Sequence, residues 1–571
     1  MKKTFRVLSL LLAAALLMAC AAGCSSSGSS ASSAAASSGS ASAAASASAA
    51  SASASASAIA SASASAAQSG DKHGGMLTIQ CWSDPTNINF YADNGSMGGT
   101  LYGACGAMLC SYDADQNIIP QLLESWELSD DSLTWTFHMR ENACWSDGQP
   151  ITADDVIFSI DYFRQTTFSD VVFQRDTDYF TEAPVYAKVD DHTYTVTTTV
   201  PYPTIFDYYI VNFFVLPEHV FKDVPAAEFH TTKVNTTPGQ IVCGGPFMVT
   251  EYKVGEYVKC ERNPYYWDDV YLDELYFRIA ADTESMFTAL MSGDLDFSFG
   301  TSAKYDEAVA AGMQVVKTNS ANFSGYAMNT KDAILSDVNI RRAFSYIYDQ
   351  QLLIDQVYGG QAEYNKGFAK GVRFEDDDAC VSYSHDLDKA KQLIESSGWA
   401  LGDDGYYYKD GKCLEVTFAY ETGYDDVTAM VLQTMFQNTG VKFNITGYEN
   451  SVLYDMLQSG QWQMAPVYAT LGPDPANYYG NYKDDSTNYL FGNYRSDTLD
   501  QDWKDGMSAA DDAGRQKAYS AMWKELTDQA VWLVLPKGWG YYYGDSRFGM
   551  DEAQFTSYGM FVYYNKLYVK Q

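Results

Sequence analysis

The chain has 571 residues, 72 of them acidic and 37 basic, with a net charge of −35. So acidic a chain excludes nucleic acid as a partner and suits a protein kept soluble outside the cell. Once its low-complexity N-terminal part is set aside, about 500 residues of aromatic-rich sequence remain, too many for one hydrophobic core, so two or three sub-domains are expected.

The N-terminus reads MKKTFRVLSLLLAAALLMACAAGCSSSGSS. Lys2, Lys3 and Arg6 form a basic start, and Val7 to Met18 is an apolar run too short to span a membrane comfortably. Small residues and two cysteines follow. Residues 1–23 therefore resemble a bacterial lipoprotein signal peptide. Cys24, between Gly23 and a serine run, is the expected lipidated residue, with Cys20 as the competing position and an ordinary secretory signal as the bland alternative. Residues 24–70 are almost entirely Ser, Ala and Gly. Such a segment cannot bury enough apolar surface to offset its ordering entropy, and reads as a flexible tether of about 35–40 Å r.m.s. reach.

Beyond the tether, GGMLTIQCW (Gly74–Trp82) predicts a buried strand and SLTWTFHMR (Ser132–Arg140) a half-buried one. WSDGQPITADDVIFSI (Trp145–Ile160) holds three aspartates, but its spacing fits a helix start rather than a metal loop. Asp147-Gly148 makes a turn and Pro150 stiffens its exit. Thr152 then takes the N-cap position, with Asp155 three residues on in place of the usual Glu of a capping box. HTYTVTTTV predicts a strand, FFVLPEHVF a turn into a helix, and PFMVTEYKVGEYVKCERN a hairpin about Val254-Gly255. TESMFTALMSGDLDFSF predicts a helix stopped at Gly293 and then a strand, with Asp294 and Asp296 as solvated turn residues. NIRRAFSYIYDQQLLIDQVYG predicts one long amphipathic helix closing near Gly359. KAKQLIESSGW, LEVTFAY, DVTAMVLQTMFQNTG and VKFNITGY then give helix, strand, helix and strand. The alternation makes the class α/β.

No GxSxG, HExxH, P-loop or dinucleotide-binding glycine pattern occurs, so no catalytic residue is assigned. The eight cysteines after the tether form no CxxC pair and do not cluster with the six histidines, so no metal or cofactor is expected. Cys380 and Cys413 flank one helix-like segment and are the candidate disulfide pair.

A resemblance then becomes specific. PQLLESWELSDDSLTWTFHMRENACWSDGQPITADDVIFSID, LPEHVF, GGPFMVTEYKVGEYVKCERNPYYW, LMSGDLDF, AMNTKDAILSDVNIRRAFSYIYDQQLLIDQVYGG and GPDPANYY with NYRSDTLDQDW follow one another along the chain. In content and order they resemble the family 5 extracytoplasmic solute-binding proteins, the peptide- and nickel-type receptors of ABC importers, from about Gly74 to the C-terminus.

The resemblance implies a bilobal, hinged periplasmic-binding-protein-like α/β fold of the larger type with an extra inserted domain. Lobe one would comprise 71–113, 240–325 and 530–571, the inserted domain 114–239, and lobe two 326–529. It also implies a monomeric, non-enzymatic receptor, lipid-anchored on the extracytoplasmic face of the cell membrane. The receptor would pass a solute, by default a peptide, to permease subunits of an ABC importer. An oligosaccharide or a metal chelate is the alternative ligand, and a secreted hydrolase on this scaffold the remote one. Ala107, Met108, Tyr326, Asn329, Tyr468, Leu471, Gly472 and Asp474 are the expected ligand-binding residues. Peptide-binding relatives carry an aspartate for the ligand's α-amino group three residues before their Asp-Pro pair. Here that pair is Asp474-Pro475 and the position is Leu471, while the acid of the family's groove segment falls on Ala107. A ligand that needs no free amine is the reading this favours, with another acid supplying the charge, or Asp474 as substitute anchor if the loop is offset, as the alternatives.

Overall fold

The computed structural model describes residues 72–570, apart from 82, 86, 94–95, 114–116, 166–182, 203–204, 206–213, 280–282, 301, 320–321, 368–369, 372, 423–425, 471–473, 510 and 551–562. The expected signal peptide, Cys24 and the tether lie outside the described residues, as do Leu471 and Gly472.

In chain order the strands that matter are β1 (Met76–Cys81), β2 (Leu123–Leu128), β3 (Thr134–Met139), β4 (Val185–Asp190), β5 (Thr193–Thr197), β6 (Phe247–Lys253), β7 (Tyr257–Arg262), β8 (Glu274–Ile279), β9 (Phe297–Gly300), β10 (Gln314–Asn319), β11 (Asn322–Met328), β12 (Glu415–Glu421), β13 (Lys442–Tyr448), β14 (Met464–Thr470), β15 (Trp532–Val534) and β16 (Lys537–Gly544). One sheet has the order β6-β7-β8-β1-β9-β16-β10, with Ala362–Glu363 added to β16. A second has the order β13-β12-β14-β11-β15, and a third, four-stranded sheet the order β2-β3-β5-β4.

Burial explains the positions. β1 sits inside its sheet, parallel to β8 and β9, and Leu77, Ile79 and Cys81 are all buried. β3 at the middle of the small sheet alternates, burying Phe137 and Met139. The hairpin β6–β7 turns at Gly255, whose φ of +76° is a left-handed value that glycine adopts without strain.

The two large sheets are joined where the chain passes from β10 straight into β11, and again from β15 into β16. β10 pairs with β16 and β11 with β15, so the two crossings run side by side. Such a two-stranded joint can bend without disturbing either core.

Three helices deserve comparison with expectation. Ala153–Phe163 begins as the sequence predicts: Thr152 is its N-cap, and its backbone N–H donates to the Asp155 carboxylate at 2.9 Å. The helix Thr283–Ser292 stops at Gly293, φ +78°. The expected single helix after Asn339 is instead two, α1 (Val338–Ile347) and α2 (Gln350–Gln356). Asp349 causes the break, because its carboxylate accepts from Leu352 N and starts a new helix. Gln350 fixes the angle by donating to the carbonyls of Asn365 and Val534.

Two further corrections concern side chains. Asp296 is not a solvated turn residue: it is 1% exposed, accepts Thr78 N at 2.7 Å and pairs with Arg547. Cys380 and Cys413 are free thiols. Cys413 lies in a small strand pairing with Tyr408, and Cys380 packs against Gly367.

Candidate functional site

The strand register defines the ground between the lobes. At the crossings, Asn319 ends β10, and Asn322 of β11 pairs with Thr470 at the end of β14. In the first sheet β9 reaches the same end, since Gly300 and Lys317 both face Tyr541. β1 runs parallel to β9 and ends there too. The carboxyl ends of β1, β9 and β14 therefore converge near the joint, the place where α/β proteins with two bodies hold ligands.

On the lobe-one side, Gln80 of β1 is fully buried beside Ser298 of β9. Its Oε1 accepts Ser298 Oγ at 2.8 Å and Phe299 N at 3.0 Å, which fixes the orientation of the amide. Its Nε2 has no acceptor. A buried amide donor left unpaired is costly, and such a group near a cleft is a recognition candidate. No sequence signal points to it, because a lone Gln in an apolar strand carries no spacing pattern.

On the lobe-two side, Tyr468 is half-buried and opposite Ser324. Tyr326 lies on the same sheet face, opposite Pro466, but it is 1% exposed and packs edge-on against Phe418 in the lobe-two core. Met108 is half-buried in lobe one, next to the fully buried Ala107. Asn329 lies beyond the far end of β11. Its Nδ2 donates to the carbonyls of Trp462 and Gly460, and its Oδ1 accepts from Asn493 and from Lys331 N. Asp474 is fully buried: it caps a 3-10 turn through Ala476 N, accepts Tyr519 Oη at 2.8 Å and pairs with the buried Arg515. Its charge is already compensated inside the fold. Of the eight expected residues, then, Tyr468 is the described one that combines partial exposure with a position beside the joint.

The motif-rich segments make a separate knot. Asp155 Oδ1 accepts Glu218 N at 2.9 Å, and Trp145 Nε1 lies 3.4 Å from Oδ2. Burial lifts the Asp155 carboxyl above the usual range despite these donors. His219 Nε2 is 2.9 Å from Asp147. Cys243 N donates to Ser146 Oγ, and Ser146 N to Cys243 O. Any Cβ on Gly245 would stand 2.7–2.9 Å from backbone atoms of Cys105, Ala104 and Gly106, and one on Gly244 would meet Ala107 and Trp145. Asn263 Nδ2 closes the knot on Gly245 O at 2.9 Å. Three fingerprint segments are thus tied together by one network.

Among the described residues no group of His, Cys, Asp and Glu could hold a metal ion, and no helix is long and apolar enough to cross a membrane.

The family model for bacterial extracellular solute-binding proteins, family 5 (middle) matches residues 117–489. The chain belongs to this family. It is 24% identical over 501 residues to the oligopeptide-binding protein AppA of Bacillus subtilis (strain 168), spanning 84% of this chain and 88% of that one. The crystal structure of the ABC transporter substrate-binding protein CtaP from Listeria monocytogenes superposes with a TM-score of 0.77 at 26% identity, covering 88% of this chain and all of that one. NikA from Brucella suis, solved with Fe(III)-EDTA, gives a TM-score of 0.72 at 20% identity over 87% of this chain and 100% of that one. The bilobal family fold is therefore the fold of this chain.

Proposed function

We propose that this family 5 protein is a lipid-anchored receptor that binds peptides between its lobes, closes on them by bending at the paired crossings, and presents them to an ABC importer without turning them over. One observation carries the reading: the carboxyl ends of β1, β9 and β14 converge at a two-stranded joint, beside Gln80, whose buried amide donor lacks an acceptor. A peptide offers a row of carbonyl acceptors. The similarity to an oligopeptide-binding protein over most of both chains supports the same ligand class. Lobe one is 71–113, 240–325 and 530–571, lobe two is 326–529, and 114–239 is the inserted domain. The sheets depart from these bounds near the joint: Asn322–Gly325 and Trp532–Val534 pair in the second sheet, and Ala362–Glu363 in the first. Anchoring is at Cys24, with residues 24–70 as tether, and the protein acts as a monomer.

The ligand's free amine is not required. By sequence position Leu471 takes the place of the amine anchor, and Asp474, three residues on, is occupied by Arg515. An unpartnered ammonium would lose its charge-assisted hydrogen bond on entering the cleft. A chelate or another amine-free solute is the second reading, favoured by the apolar residues Leu471 and Ala107 at the positions where the resemblance expects acids and by the chelate in the NikA structure. Calorimetry with matched peptide pools, free and N-acetylated, tests the proposal. Equal binding of both pools supports it; loss on acetylation removes the amine claim, and binding of neither removes the peptide claim. Intact-mass measurement of the membrane fraction should show a diacylglycerol adduct at Cys24. An adduct at Cys20 moves the anchor, and an unmodified chain released to the medium refutes it.

A further inference from the structure

A cavity of about 460 Å³ opens to solvent on lobe two, between the end of β11, the start of α1 and the turn at residues 493–495. It is not part of the interlobe ground. Its residues Thr330 and Lys331 follow Met328, which pairs with Met464, whereas the crossing end of β11 is Asn322, paired with Thr470. Seven strand residues at about 3.3 Å each separate the two ends by roughly 20 Å.

The cavity wall carries three cations, Lys331, Arg341 and Arg495, and no acid, in a chain whose acids outnumber its bases 72 to 37. Arg341 is only 2% exposed. Its Nε donates to Gln529 O at 2.9 Å, and its Nη1 to the carbonyls of Leu335 and Ser336 at 2.7 and 3.3 Å. Among the described residues no carboxylate pairs with it, and its Nη2 makes no hydrogen bond. Burial pushes its pKa down to about 10, as expected for a desolvated cation without a counter-charge. Lys331 is exposed and its ammonium has no ion pair. Arg495 is steadied by the carbonyls of Tyr482 and Lys483 and by the exposed Asp485, which does not line the cavity.

The acids close by have other duties. Asp337 caps α1 through Asn339 N, and Glu525 accepts the hydroxyls of Tyr494 and Ser496. A buried guanidinium with one unused edge is a poor way to gain stability, since its desolvation is only partly offset by three carbonyls. It is a good way to receive an oxyanion, because a guanidinium presents N–H groups in a plane that matches carboxylate or phosphate. The volume falls in the range of small-molecule sites.

We infer that this cavity is a second ligand site, which binds a small soluble oxyanion, phosphate or carboxylate, independently of the solute between the lobes. The test is calorimetry on the purified protein at low ionic strength, where such contacts are least screened, with inorganic phosphate and, separately, with citrate. Lys331→Glu reverses an exposed charge at the rim, and Lys391→Glu makes the same change on an exposed helix elsewhere. One anion should bind saturably, about tenfold or more weakly in Lys331→Glu and unchanged in Lys391→Glu, as loss of a charge-assisted contact requires. Phosphate binding assigns the phosphate class, and binding of citrate alone the carboxylate class. No saturable binding of either, or equal weakening by both substitutions, overturns the inference.

Discussion

The knot around Asp155 and the ground beside the joint stand at opposite ends of a scale. The knot is dense, buried at its centre and written in short motifs: Trp145, Asp155, Gly244, Gly245 and Asn263 are buried there, in segments that each have a recognisable pattern. The ground beside the joint is built from single residues on strand ends, Gln80, Ser298 and Tyr468, with no pattern around any of them. The contrast teaches that the residues which make the family recognisable are those that hold lobe one to its insertion. On the proposed reading, ligand choice rests on residues that the fingerprint leaves out.

That contrast can be broken or sharpened by substitution. The largest effect is expected at Asp474, which sits near the cleft yet behaves like the knot. Asp474→Asn leaves the buried Arg515 with the exposed Asp512, at 3.6 Å, as its acidic partner and should cost about 3–5 kcal/mol in urea unfolding, with solute affinity unchanged in the folded protein. A loss of affinity at unchanged stability would instead make Asp474 a ligand contact and blur the division. Next is Gly245→Ala. Its new Cβ would stand under 3.0 Å from three backbone atoms, so overpacking should cost about 1–3 kcal/mol, again without altering binding. An unchanged unfolding midpoint would mean that the knot tolerates what its geometry forbids.

The smallest effect concerns the joint itself. Lys537, the first residue of β16, is buried, and burial pushes its pKa from 10.5 down to about 8. The folded protein then holds this proton less tightly than the unfolded chain does. Stability is penalised in full below about pH 8, and the penalty is relieved as pH rises from about 8 toward 10.5. Lys537→Met removes the group, so the gap between variant and wild-type unfolding midpoints should narrow across that window. A gap that stays constant from pH 8 to pH 10 would show that Lys537 does not titrate as its burial requires.

The sequence made much of the frame legible. An apolar run marked β1, alternation marked β3, the Thr152–Asp155 spacing marked a helix start, and Gly255 and Gly293 marked a turn and a stop. It missed the break at Asp349, because an aspartate inside an amphipathic pattern reads as a solvated face until Gln350 is seen bonded to Asn365 and Val534. It missed the burial of Asp296 because Arg547, its partner, lies 251 positions away. The site was least legible for the same reason. Gln80 and Ser298 are 218 positions apart, and only strand register brings them to the joint where β14 also ends. A fingerprint segment could name the family, but not which strand ends face one another.

The most direct test of the account is to purify the protein under mild conditions, denature it and identify the released solute by mass spectrometry. The account predicts peptides, released in about one equivalent and including species with blocked N-termini. Release of an oligosaccharide or a metal chelate with no peptide would contradict it.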